Sequence, residues 1–152
     1  MNLPAALRSI GAVATIMVLL LTTPGCGGGS GTGAVSGVVT LNGAPLPAAR
    51  VRFQPEAGGP PSSGLTDDAG RYELRLSRSQ VGAVTGEHLV EITTFRAANP
   101  DADPPSPAQP ERLPHRYNVA SELKATVQPG TNTVDFSLEA TGKIPQPSKG
   151  SY

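Results

Sequence analysis

From Val35 onward, apolar residues recur at every second position in short runs, and glycine, proline or asparagine closes nearly every run. A period of two sends alternate side chains to opposite faces of a pleated strand, whereas a helix needs apolar residues at about every 3.6 positions. In residues 49–54, Val51 and Phe53 face one way, and Arg50, Arg52 and Gln54 the other. Tyr72, Leu74 and Leu76 share a face in residues 71–76, as do Val134, Phe136 and Leu138 in residues 132–138. No segment downstream of the N-terminal region shows a helical period. Eighteen glycines and sixteen prolines supply the turns.

The pattern predicts seven strands, over residues 34–41, 49–54, 63–66, 71–76, 87–95, 121–127 and 132–138. Gly37 inside the first marks a bulge or a close backbone approach. Asn42-Gly43 is a turn signal, because both residues tolerate positive φ. In Asp67-Asp68-Ala69-Gly70, the Asp side chains are suited to bonding nearby backbone. Residues 87–95 are expected to form the longest strand. Their apolar residues fall on both faces, which points to a central position. Short strands at this spacing with Gly/Pro turns indicate an all-β fold, a single seven-stranded β-sandwich.

Residues 97–114 interrupt the regularity with Pro100, Pro104, Pro105, Pro107, Pro110 and Pro114. Proline removes backbone donors and blocks regular pairing, so this segment is expected to be a mobile loop, dispensable for folding. Arg116-Tyr117-Asn118 beyond it is expected to dock. Tyr117 belongs to a chain with three tyrosines and no tryptophan, and a packed tyrosine needs a partner for its hydroxyl.

The N-terminal residues describe a destination. Arg8 precedes an apolar run from Ile10 to Leu21, followed by Thr22-Thr23-Pro24-Gly25-Cys26 and a Gly/Ser tract. A positive start, a short apolar stretch and small residues form a bacterial export signal. The run is shorter than the roughly 20 apolar residues a spanning helix needs. Cys26, the lone cysteine of the chain, sits where a lipoprotein signal peptidase would leave it as a lipid-modified N-terminus. Thr23 and Pro24 depart from the usual lipobox, so cleavage after Gly25 to a soluble secreted protein and an uncleaved anchor remain alternatives. The organisation read from this is a lipoprotein signal peptide at 1–25, a Gly/Ser tether at 26–33, a β-sandwich at 34–139 and a polar tail at 140–152. The expected location is the bacterial cell envelope, with the membrane as a partner through the lipid anchor.

The order of elements resembles the carboxypeptidase regulatory-like, or transthyretin-like (prealbumin-type, Ig-like), β-sandwich family. The resemblance rests on Val35-Ser36-Gly37-Val38-Val39, Asn42-Gly43-Ala44-Pro45-Leu46, Ala49-Arg50-Val51-Arg52-Phe53, Thr66-Asp67-Asp68-Ala69-Gly70-Arg71-Tyr72-Glu73-Leu74 and Gly86-Glu87-His88-Leu89-Val90-Glu91-Ile92. With the export signal and Leu113-Pro114-His115-Arg116-Tyr117-Asn118, the chain resembles small lipoproteins of planctomycete-type bacteria. The resemblance implies a non-catalytic accessory domain with an envelope protein or glycan as partner. The hydroxyisourate hydrolases of the transthyretin-like branch end in Tyr-Arg-Gly-Ser. This chain ends in Lys149-Gly150-Ser151-Tyr152, a different order.

Catalytic signatures are sparse. Twelve basic residues balance twelve acidic ones, with no basic face for nucleic acid. Two histidines, His88 and His115, fall short of the three or four ligands of a metal site, so no metal or cofactor is expected. His88 reads as a half-buried strand residue. No Gly-x-Ser-x-Gly elbow supports a nucleophile, and the chain is read as a non-enzyme. His115, Arg116 and Tyr117 form the one candidate ligand site, suited to an anion or a sugar. It also carries the alternative reading, a ligand-binding or hydrolytic transthyretin-like protein.

Overall fold

The computed structural model describes residues 31–145. The export signal, Cys26 and residues 146–152 lie outside the described residues. Two sheets pack face to face as a β-sandwich. Ten strands appear in order: β1 (Thr32–Leu41), β2 (Ala44–Pro45), β3 (Arg50–Pro55), β4 (Ser62–Leu65), β5 (Arg71–Glu73), β6 (Ala83–Val84), β7 (Gly86–Thr93), β8 (Leu123–Val127), β9 (Gly130–Thr133) and β10 (Phe136–Leu138). A 3₁₀ turn, His115–Tyr117, precedes β8. The count exceeds seven because β2 and β6 are two-residue pairings and the expected last strand is split into β9 and β10.

β1 organises the first sheet. Antiparallel β2, β5 and β6 line one side of it and parallel β9 and β10 the other. It starts at Thr32, two residues before the expected start, and its 10 residues exceed the 8 of β7, so the longest strand is β1 and not residues 87–95. Pairing on both sides sustains that length. The second sheet runs β4-β3-β7-β8, antiparallel throughout. β7 is internal, as expected, yet only one of its faces is sealed: His88, Val90, Ile92 and Thr94 are buried while Phe95 is exposed.

The alternation places the core as the sequence implies. Val35, Val39, Val51, Phe53, Tyr72, Leu74, Val90, Ile92, Phe136 and Leu138 fill the space between the sheets. Phe136 lies between two rings, edge-on to Phe53 at 6.2 Å and stacked with Tyr72 at 6.4 Å. The outer face of the second sheet carries its own charge pairs. Arg52 bonds Glu91 at 3.0 Å and Lys124 bonds Glu56 at 2.8 Å.

Asn42 and Gly43, at φ 50° and 81°, form the β1–β2 turn, the positive-φ pair that a tight hairpin requires. The Asp67 carboxylate accepts the Ala69 and Arg71 amides at 2.9 and 2.8 Å, as its turn chemistry predicts. Gly37 marks a close approach: a Cβ there would lie 1.8 Å from the Val134 carbonyl oxygen. The same crossing splits the last strand. At Val134-Asp135 the backbone bonds Ser36, the Tyr72 hydroxyl and, through the Asp135 carboxylate, the Val38 amide.

The proline-rich segment holds no regular strand or helix, as expected, but isolated bridges tie it together. Reciprocal bonds join Arg96 to Gln109 and Asn99 to Ser106, making a narrow two-legged arm. The prolines avoid the bridged positions: Pro100, Pro104 and Pro105 lie in the tip, Pro107 between the two bridges and Pro110 beyond them, so none removes a bridging donor. The second leg enters the core at Leu113, which is fully buried.

Candidate functional site

The 3₁₀ turn His115–Tyr117 sits at the end of the sandwich where β1 finishes. Proline-rich chain enters it, and the residues after β10 fold back over it. The His115 amide donates to the Lys143 carbonyl at 2.9 Å. Arg116 Nη2 donates to the Glu139 carbonyl at 3.2 Å and to Thr141 Oγ1 at 3.1 Å. Residues 140–143, expected to open a polar tail, are therefore docked. Pro114, His115, Arg116, Gly142 and Lys143 line an open groove of about 370 Å³.

The three predicted site residues separate. His115 and Arg116 border the groove. Tyr117 turns inward, buried, and its hydroxyl accepts the Glu139 amide at 3.1 Å. Its expected docking and hydrogen bond are both present, but its ring lies beneath Arg116, whose guanidinium carbon is 4.9 Å from the ring centroid. Tyr117 thus supports Arg116, in a cation–π contact, and does not line the groove. Lys143 and Gly142 join the site from a segment whose polar composition gave no strand pattern. Among the described residues, the ion pairs join Arg52 to Glu91, Arg75 to Glu73 and Lys124 to Glu56, and none engages Arg116 or Lys143.

A second groove, of about 340 Å³, lies between the β2–β3 connection and the arm, lined by Pro47, Ala48, Thr94, Gln109, Pro110 and Arg112. Behind it, the Glu111 carboxylate holds the arm to the end of β7. Oε1 accepts the Thr94 amide at 3.0 Å, the Thr94 hydroxyl at 2.8 Å, and the Arg112 and Leu113 amides at 2.9 and 3.0 Å. The Thr93 hydroxyl donates to the other oxygen. Burial alone would raise the carboxyl's pKa, but the bonds from Thr93, Thr94 and Leu113 outweigh it and hold the group below its usual 4.5. The sequence signal for this latch is Glu111 as the one acid between Pro104 and Pro114, downstream of Thr93-Thr94.

His88 is fully buried rather than half-buried, because its strand face is the core face. Nε2 lies 2.7 Å from the Val84 carbonyl, and the ring packs 5.6 Å from that of Phe53. Burial also pushes the Tyr72 hydroxyl well above the usual tyrosine value, with Asp135 adding to the shift. Both groups belong to the core and neither reaches a groove. Among the described residues no cluster of three or more His, Cys, Asp or Glu side chains is arranged to hold a metal ion.

No protein-family model matches the sequence, and no curated protein does. Among solved structures, a DUF3823 family protein from Parabacteroides merdae is similar over 72% of this chain, at 14% identity and a TM-score of 0.38. The similar region spans 46% of that protein's length.

Proposed function

We propose that the chain is a non-enzymatic, membrane-tethered accessory or binding module of the bacterial cell envelope, of the carboxypeptidase regulatory-like or transthyretin-like β-sandwich type. The observation that carries this reading is the position of β1. It begins at Thr32, close behind Cys26, and is the central strand of its sheet. Six residues of chain reach at most ~20 Å, so a lipid on Cys26 would hold that end of the sandwich near the bilayer. Ten residues of strand span about 30 Å. Both grooves and the proline-rich arm lie at the far end of β1, where they would face away from the membrane toward an envelope protein or glycan.

A second reading is supported by the groove at His115 and Arg116, which suits ligand binding. For a hydrolytic role, the site would need a nucleophile or base beside His115. Tyr117 does not supply it, because it is buried and turned away from the groove.

Intact-mass measurement of the membrane fraction tests the main reading. The expected species starts at Cys26 with a diacylglyceryl or triacyl addition, and Cys26→Ser should leave the membrane fraction. An unmodified chain beginning at Met1, or a soluble one beginning at Cys26 with a free thiol, overturns the tether.

A further inference from the structure

The groove beneath the 3₁₀ turn has features that its packing role does not require. Arg116 is held at two points: its guanidinium carbon lies over the Tyr117 ring, and Nη2 is committed to Glu139 and Thr141. That leaves Nη1 fixed in place without a partner among the described residues. Its position is defined by Gly142, where a Cβ would stand 3.5 Å from Nη1 and 3.3 Å from Pro114 Cβ. Gly142 has φ 127°, which L side chains rarely adopt. The missing side chain keeps open the space between the proline ring and the guanidinium.

Lys143 and His115 line the same groove, and neither side chain has a hydrogen-bond or ion-pair partner among the described residues. The outer face of the second sheet is different, since Arg52 and Lys124 there each meet a carboxylate. With Nη2 committed, Nη1 remains as a pre-positioned, charge-assisted donor to one oxygen of an oxyanion. A lysine beside it adds a mobile second charge, and Pro114 offers an apolar wall for a short carbon body.

We infer that this groove is a binding site for a small organic carboxylate, with Arg116 Nη1 and Lys143 Nζ as its donors. Tyr117, Glu139 and Thr141 position the arginine. The inference rests on the ligand-binding reading of the groove and is independent of the anchor at Cys26.

The test is titration of the isotope-labelled full-length protein, in detergent micelles, with succinate, inorganic phosphate and neutral succinamide, followed by backbone amide shifts. Succinate should give saturable shifts at His115, Gly142 and Lys143, diminished by added salt because the charges are exposed. Succinamide should give none. Lys143→Gln, whose backbone carbonyl still meets His115, should weaken succinate binding about threefold, the scale of one exposed charge contact. Gly142→Ala should weaken it, by setting a methyl 3.5 Å from Nη1 and straining the backbone at φ 127°. Absence of saturable shifts, equal shifts with succinamide, or unchanged affinity in Lys143→Gln overturns the inference. Tighter binding of phosphate than of succinate overturns the assignment to carboxylates. Succinate binding by the Cys26→Ser protein separates failure of the groove from failure of the tether.

Discussion

The Tyr72 hydroxyl donates to the Val134 carbonyl at 2.7 Å, across the point where the last strand breaks. That carbonyl also overlies Gly37 on β1. One crossing therefore joins three separate parts of the chain: the opening strand, the Asp67 turn's following strand and the C-terminal pair.

Removing the hydroxyl tests the first part of this junction. Tyr72→Phe keeps the ring against Phe136 and should cost about 0.5–1.5 kcal/mol, the net worth of one hydrogen bond. Urea unfolding should show a lower midpoint with an unchanged slope. Gly37→Ala should be far worse, because its methyl would meet backbone at 1.8 Å rather than a movable side chain. A loss beyond about 3 kcal/mol is expected, in the range of overpacking and backbone displacement.

Phe136→Ala should cost about 3–5 kcal/mol, as for other large-to-small changes at closely packed rings. The ring is 7% exposed and touches both sheets through Phe53 and Tyr72. A loss under ~1 kcal/mol, typical of exposed sites, would place the ring outside the core. Thermal and denaturant unfolding both read this.

Glu111 predicts an acid-sensitive arm. Its carboxyl is held below 4.5 in the folded state, so the unfolded chain takes up this proton first as pH falls. The stabilisation is complete above the unfolded value and is lost as pH drops through the folded one. Glu111→Gln should cost about 1–2 kcal/mol at neutral pH and should flatten the stability profile below about pH 4.5. Amide exchange at Arg112 and Leu113, whose N–H groups meet the carboxylate, should report the loosening locally.

The arm should divide into a dispensable tip and a required base. Replacing residues 100–105 by Asn-Gly leaves the Asn99–Ser106 bridge to be closed by a two-residue turn, and stability should move by less than about 0.5 kcal/mol. Leu113→Ala, at a fully buried position, should cost about 2–5 kcal/mol. Protease should cut within 100–105 before any strand.

Strand positions and core faces were legible because alternation is a local property. Val51 with Phe53 and Tyr72 with Leu74 could be assigned from neighbours two residues apart. The split at Val134-Asp135 was not, since it depends on Tyr72 and Gly37, which are remote in sequence. The arm was half legible for a related reason: six prolines advertise irregularity, while the bridges depend on Arg96, Asn99, Ser106 and Gln109, whose pairing no local pattern announces. At the site, His115 and Arg116 stood out as adjacent side chains with nitrogen donors. Lys143 was hidden because only the return of the chain after β10 brings it there, and Tyr117 could not be told from a groove residue without knowing which way its ring turned.

The parallel pairing of β1 with β9 and β10 sets an order of events during synthesis. Val38 and Asp135 meet although they are 97 positions apart in sequence, so the central strand emerges long before two of its five partner strands, β9 and β10, exist. Closing such distant pairs is slow relative to local hairpins. Until the final strands emerge, β1 can complete only its antiparallel side, and its other edge stays open to strands of other chains. A chain truncated before Gly130 would keep that edge permanently, and its expected fate is aggregation rather than a smaller native domain.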